Sequence, residues 1–103
     1  MKRVIIEYPY AGDVQRNIQY AKLCLKDSLM RGEAPIASHL LYTQVLDDLI
    51  PEEWKMGIDS GLAWIDMIDL HVFYLDYGWS SGMIAANKMA EEMGINVENR
   101  MIL

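Results

Sequence analysis

Cysteine is nearly missing from this chain of 103 residues: Cys24 stands alone, which excludes an intrachain disulfide and any cysteine-rich metal site. Histidine is also scarce, with only His39 and His71, and their separation has no metal-ligand spacing. No apolar run approaches the roughly 18 residues that would span a bilayer, and no charged-then-apolar leader opens the chain. These absences predict a protein of the cytoplasm that holds neither metal nor cofactor and has no membrane partner. Positive charge is in short supply too. Nine Lys and Arg face fifteen Asp and Glu, for a net charge of −6, and the nine are scattered from Lys2 to Arg100 without a basic stripe. A nucleic-acid polymer is therefore not an expected partner. A small anion is still admissible, because helix N-termini act over about one turn while net charge is screened by salt.

What the chain has in excess is apolar surface. Hydrophobic residues make up 52% of it, with eight Met and three Trp, which is high for a domain of this size with so much surface to cover. Residues 1–103 read as one domain, part of whose apolar surface is expected in a homo-oligomer contact.

The order of elements follows from periodicity. Arg3-Val4-Ile5-Ile6 is a β-branched run ending in the turn-forming Tyr8-Pro9-Tyr10-Ala11-Gly12. Asp13 can cap a helix whose apolar stripe is Val14, Ile18, Ala21, Leu25 and Leu29, with Gly32 placed to end it. Ala34 to Ala37 is a short strand despite its proline, and Ser38-His39 lie at its end. Pro51 suits a first helical position, and Ile58, Leu62 and Ile65 make a stripe reaching about Met67. Leu70 to Tyr74 is a strand, Ser81 to Met93 a helix before Gly94, and Ile95-Asn96-Val97 a brief last strand. Alternation of strands and helices predicts an α/β fold: a single three-layer domain with a small, mostly parallel sheet flanked by helices.

In such sheets ligands gather at the C-terminal strand ends. These ends supply Tyr8, Tyr10, Ala11 and Gly12, then His39, then Asp76 and the segment Ser80-Ser81-Gly82-Met83. A strand, a small-residue turn and a helix start together form either a plain capped turn or an anion pocket, since the first N–H groups of the helix lack partners. Tyr8 and Tyr10 pack in the turn or stack on a base, Gly12 permits close backbone approach, and Asp76 can reach a ribose hydroxyl or form a turn. His39 is a hydrogen-bonding histidine before it is a general base, because no nucleophile pairs with it. His71, in mid-strand, reads as structural, and Trp54 and Trp64 as core or interface residues.

Tyr8-Pro9-Tyr10-Ala11-Gly12, the pair Trp64 and Asp69, and the Ser80-Ser81-Gly82 turn, in that order and spacing, resemble the nucleoside 2-deoxyribosyltransferase-like fold. The likeness spans almost the whole chain and extends to small phage and bacterial proteins. It implies a nucleotide-shaped crevice, but the enzymes of that fold keep a nucleophilic Glu four residues after the turn glycine, where this chain has Ala86. They keep an Asp three residues before the Trp, where it has Gly61. Glycosidic cleavage needs both acids. The resemblance therefore implies no catalytic residues and a binding protein for a nucleotide-derived small molecule, such as a phage protein sequestering a host signal of the cyclic ADP-ribose type, acting in the host cytoplasm. The alternative is an N-glycosidic hydrolase or deoxyribosyltransferase with relocated carboxylates drawn from Asp59, Asp66 or Asp76.

Overall fold

The computed structural model describes residues 1–37 and 41–103. Its elements run β1 (Arg3–Glu7), α1 (Val14–Met30), β2 (Ala34–Ile36), α2 (Pro51–Leu62), β3 (Leu70–Tyr74), α3 (Ser81–Glu92) and β4 (Val97–Arg100). The strands form one four-stranded, all-parallel sheet in the order β2-β1-β3-β4. The expected α/β architecture is thus observed. A single turn of 3-10 helix, Ile65–Met67, separates α2 from β3, so the second helix stops earlier than its apolar stripe suggests. The last strand also lies later than Ile95, starting at Val97.

Local chemistry explains the boundaries. The Asp13 carboxylate accepts the Arg16 N–H at 3.0 Å and starts α1, and Gly32 follows its end with φ +81°, a conformation that disfavours any residue with a Cβ. Ser80 caps α3 through its hydroxyl, which accepts from Met83 N–H at 3.2 Å. Pro35 sits in the edge strand β2. Ala34 N–H points inward to Lys2 carbonyl at 2.8 Å, so the proline nitrogen faces the open side, where its missing hydrogen breaks no ladder bond.

The sheet separates two layers of packing. Val4, Ile6 and Tyr8 of the first strand region, with Leu70, Val72 and Tyr74 of β3, face α1 and meet Tyr20, Ala21 and Cys24. On the other face Phe73 packs with Met83 and Ala86 of α3. Helix α1 docks only in part on the stripe read from the sequence: Ala21 is buried and Leu25 packs against the core, but the rest of the buried face differs. Asn17, Tyr20, Ala21, Cys24 and Ser28 are its buried residues, while Leu29 is 56% exposed. The cause is polar anchoring. Asn17 Nδ2 donates to the carbonyls of Tyr10 and Ala11, both at 2.9 Å, Tyr20 hydroxyl donates to Asp76, and Ser28 hydroxyl donates to Glu33 at 2.8 Å. These bonds turn the helix until small and polar side chains face the sheet.

A buried ionic knot ties Glu33, just before β2, to Arg100 at the end of β4. Arg100 makes a two-pronged pair with Glu33 at 2.8 and 2.7 Å and donates to Tyr74 hydroxyl at 3.1 Å, while Tyr74 hydroxyl donates to Asp27 at 2.8 Å. Arg100 also bonds Glu98. Arg100 beside Glu33 holds that carboxyl below its ordinary range, overcoming its burial, and burial pushes the Tyr74 hydroxyl above its own. Burial likewise pushes the Cys24 thiol up to about 12, which makes it an inert core residue.

Candidate functional site

Strand order reverses between β1 and β3: the chain leaves β1 towards β2, then returns past β1 to β3. This switch point is where open parallel sheets offer a crevice. A largely apolar cavity of about 170 Å³ lies there, on the face carrying α2 and α3. Its floor is Ile5 and Glu7 of β1 with His71 of β3. One wall is α2, through Gly57, Ile58, Gly61 and Leu62, and the opposite wall is α3, through Gly82, Ala85, Ala86 and Met89. Tyr42, Asp48 and Trp54 stand nearer solvent, and Trp54 is 53% exposed.

Two polar side chains at the floor stand out from this apolar lining. His71 is 1% exposed, and its Nε2 lies 3.1 Å from Glu7 Oε1. The ring stacks on Phe73, with centroids 4.8 Å apart and planes inclined by 17°, while Nδ1 has no partner. An ionised carboxylate can only accept, which makes Nε2 the donor in such a pair.

The residues expected at the crevice distribute differently. Of the nine among the described residues, only Gly82 lines the cavity. Tyr8 is buried on the α1 side, and the Tyr10 and Ala11 carbonyls are bound by Asn17, with Gly12 next to them at φ +94°. Asp76 is likewise engaged. It accepts from Tyr20 hydroxyl, from Ile102 N–H at 3.0 Å and from Leu103 N–H at 2.8 Å, anchoring the C-terminal segment. Burial would raise its carboxyl, but these bonds win and hold it below the ordinary range. Arg16 lies over the Tyr77 ring at 4.1 Å, and Tyr77 meets Tyr20 edge-on at 4.8 Å. The strand ends on the α1 side are thus filled by protein.

Ser80 is the α3 cap, Ser81 is exposed beside it, and Met83 is buried against Phe73. His39 lies outside the described residues. The N–H groups of Ser81 and Gly82 have no acceptor within the helix, and Gly82 brings this start to the cavity wall. The positions noted for missing acids, Gly61 and Ala86, both line the same cavity, one on each wall.

Sequence reading missed Glu7, His71, Tyr42, Asp48 and Trp54 as site residues. A signal for the first two existed: a glutamate and a histidine interrupt otherwise apolar strands of a parallel sheet, whose two faces are normally both covered. Period-2 alternation sets Ile5 and Glu7 on the face opposite Val4 and Ile6, and His71 opposite Leu70 and Val72.

Among the described residues, no group of three or more His, Cys, Asp or Glu is arranged to hold a metal ion, and no helix is long and apolar enough to cross a membrane. No curated protein and no solved structure is similar enough to the chain to count as a match. Residues 2–100 match the model of the family described as "Domain of unknown function (DUF7768)", so the chain, a parallel α/β domain with a cavity at its switch point, belongs to that family.

Proposed function

We propose that this protein binds a nucleotide-derived small molecule without cleaving it, with the ring of the base in the cavity between α2 and α3 and phosphate at the start of α3. The observation that carries the reading is the cavity's position and lining. It opens at the switch point, has Gly82 of the α3 N-terminus in one wall, and holds Gly61 and Ala86 where enzymes of the resembling nucleoside 2-deoxyribosyltransferase-like fold keep their acids. Its size supports one ring system inside, since an apolar cavity of roughly 150 Å³ accepts benzene. No Lys or Arg belongs to the described lining, so a phosphate belongs outside it, on the N–H groups of Ser81 and Gly82. Sequestration of a host nucleotide signal, in the host cytoplasm, is the specific form supported by the likeness to small phage proteins.

Adenosine monophosphate at millimolar concentration is expected to raise the Tm, because a ligand that binds only the native state stabilises it by mass action. Gly82→Asp should abolish the rise by setting a negative charge where the phosphate sits. A Tm unmoved by AMP and by a panel of other nucleotides would sink the proposal.

A second reading, an N-glycosidic enzyme with relocated acids, is favoured by one observation. The carboxylates of Glu7 and Asp48 line the cavity, whereas Asp59, Asp66 and Asp76 do not. It requires release of free base.

A homo-oligomer is part of the same proposal. Trp54, Trp64 and Met67 are 53%, 49% and 55% exposed, and α2 has no buried residue. Large apolar side chains left in water on one helix and its following turn suit a partner surface. Light scattering at micromolar concentration should give at least twice 11.8 kDa, with Trp54→Lys plus Trp64→Lys returning it to that monomer mass. A parent chain that scatters as a monomer would remove this part.

A further inference from the structure

His71 leaves one polar atom of the cavity floor unused. The residue is 1% exposed and belongs to the lining. Of its two ring nitrogens, Nε2 lies 3.1 Å from Glu7 Oε1, while Nδ1 is buried without a hydrogen-bond partner among the described residues. Stacking on Phe73 opposes rotation of the imidazole, so this nitrogen is not free to seek a partner elsewhere. Leaving a buried polar atom without a hydrogen bond is costly, and native structures rarely do so without a reason. The walls do contain small residues, Gly61 on α2 and Ala86 on α3, which leave room for a flat ring to approach the floor.

Resting on the nucleotide reading above, we propose that His71 is the specificity residue of this cavity: Nδ1 hydrogen-bonds a polar atom on the edge of the bound ring, and heterocyclic or hydroxylated rings are selected over hydrocarbon rings of the same size. The role is independent of where the imidazole protons sit. A ring nitrogen with a proton donates and one without it accepts, so in either form its partner is a polar atom of the ligand. A lining that offered no such contact would select the other way. A hydroxyl buried there would give up its hydrogen bonds to water with nothing in return, and the hydrocarbon ring would be favoured. An apolar cavity of roughly 150 Å³ accepts benzene, so one six-membered ring suits the about 170 Å³ here.

Phenol and benzene test this, because they differ by one hydroxyl that can both donate and accept. Calorimetric titration should show phenol binding at least about threefold more tightly. Nitrogen NMR should show the His71 Nδ1 resonance moving with phenol and staying in place with benzene. The two amide variants divide the imidazole between them. The His71→Gln amide reaches as far as Nε2 and keeps a donor for Glu7 with nothing at Nδ1, whereas the His71→Asn amide reaches only as far as Nδ1. His71→Gln should reverse the preference and His71→Asn should keep it. Equal or tighter binding of benzene by the parent overturns the inference, as does an Nδ1 resonance unmoved by bound phenol, and so does an equal effect of the two variants, which would mark a packing role. The NMR measurement needs no variant and decides the matter if one fails to fold. AMP in parallel separates the two claims. If AMP raises the Tm while benzene is preferred, the inference fails and nucleotide binding stands. If phenol is preferred and no nucleotide binds, the inference holds and the nucleotide reading fails. If nothing binds, both fall.

Discussion

Arg100→Leu is expected to lower the Tm by about 15 °C or more, the largest stability change any single side chain here should give. The reason is the state of Glu33 afterwards. It is 9% exposed and would keep its charge with only Ser28 hydroxyl to satisfy it. Breaking a buried pair from one side typically costs about 3–5 kcal/mol. A domain of this size loses about 4–8 °C per kcal/mol. Removing both partners, as Glu33→Met with Arg100→Met, should recover more than half of the loss, because no charge is then left alone in the interior. Thermal denaturation followed by circular dichroism gives both numbers, and a single-variant loss under about 5 °C would show that the pair is dispensable.

The same groups set a pH window. Glu33 and Asp76 ionise below their ordinary values of 4.5 and 3.8 in the folded chain. Their stabilisation is present above those values and is lost as pH falls through them towards the folded ones. Cys24 moves from 9.0 to about 12, and Tyr20 and Tyr74 rise from 10.0, so their stabilisation is present below 9.0 and fades as pH climbs. The Tm should be level between about pH 5 and 8 and fall on both sides. A Tm still rising from pH 5 down to pH 3 would contradict it.

Base release carries the second large effect. The purified chain should leave deoxynucleosides and their monophosphates intact, because Ala86 and Gly61 offer neither an attacking oxygen nor a proton. Loss of a nucleophile commonly costs several orders of magnitude in turnover. Ala86→Glu with Gly61→Asp places carboxylates on both walls of one cavity, and chromatography should then detect base above the parent's background. Release by the parent itself, lost in Glu7→Gln or Asp48→Asn, would promote the enzyme reading. An inactive double variant that still binds AMP would mean that the sugar is held away from both walls.

The elements of the fold were legible in the sequence where local chemistry decides them. Asp13, Gly32, Pro51, Ser80 and Gly94 mark helix ends by capping and backbone preference, and β1 and β3 announce themselves by short apolar runs. Which face of α1 docks was only partly legible, because Asn17 and Ser28 bind polar partners in the flanking loops and Tyr20 binds Asp76 far along the chain, contacts no hydrophobic period records. The site was half legible for the same reason. Gly82 follows from the turn motif, and Glu7 and His71 from polar residues inside apolar strands. Tyr42, Asp48 and Trp54 reach the cavity only through the path of the chain between β2 and α2, which no periodicity specifies.

The two edges of the sheet bear on how copies of this chain can meet. At one edge Pro35 turns its nitrogen outward and offers no donor, and at the other the exposed Glu98 and Asn99 carry charge and polarity. Strand-to-strand addition, which could repeat without end, is blocked at the first edge and discouraged at the second. That leaves the face bearing Trp54 and Trp64 for the self-association proposed above. If copies pair through that face, the surface that meets its own copy uses itself up, and the assembly would close at a two-fold pair without growing into a fibre.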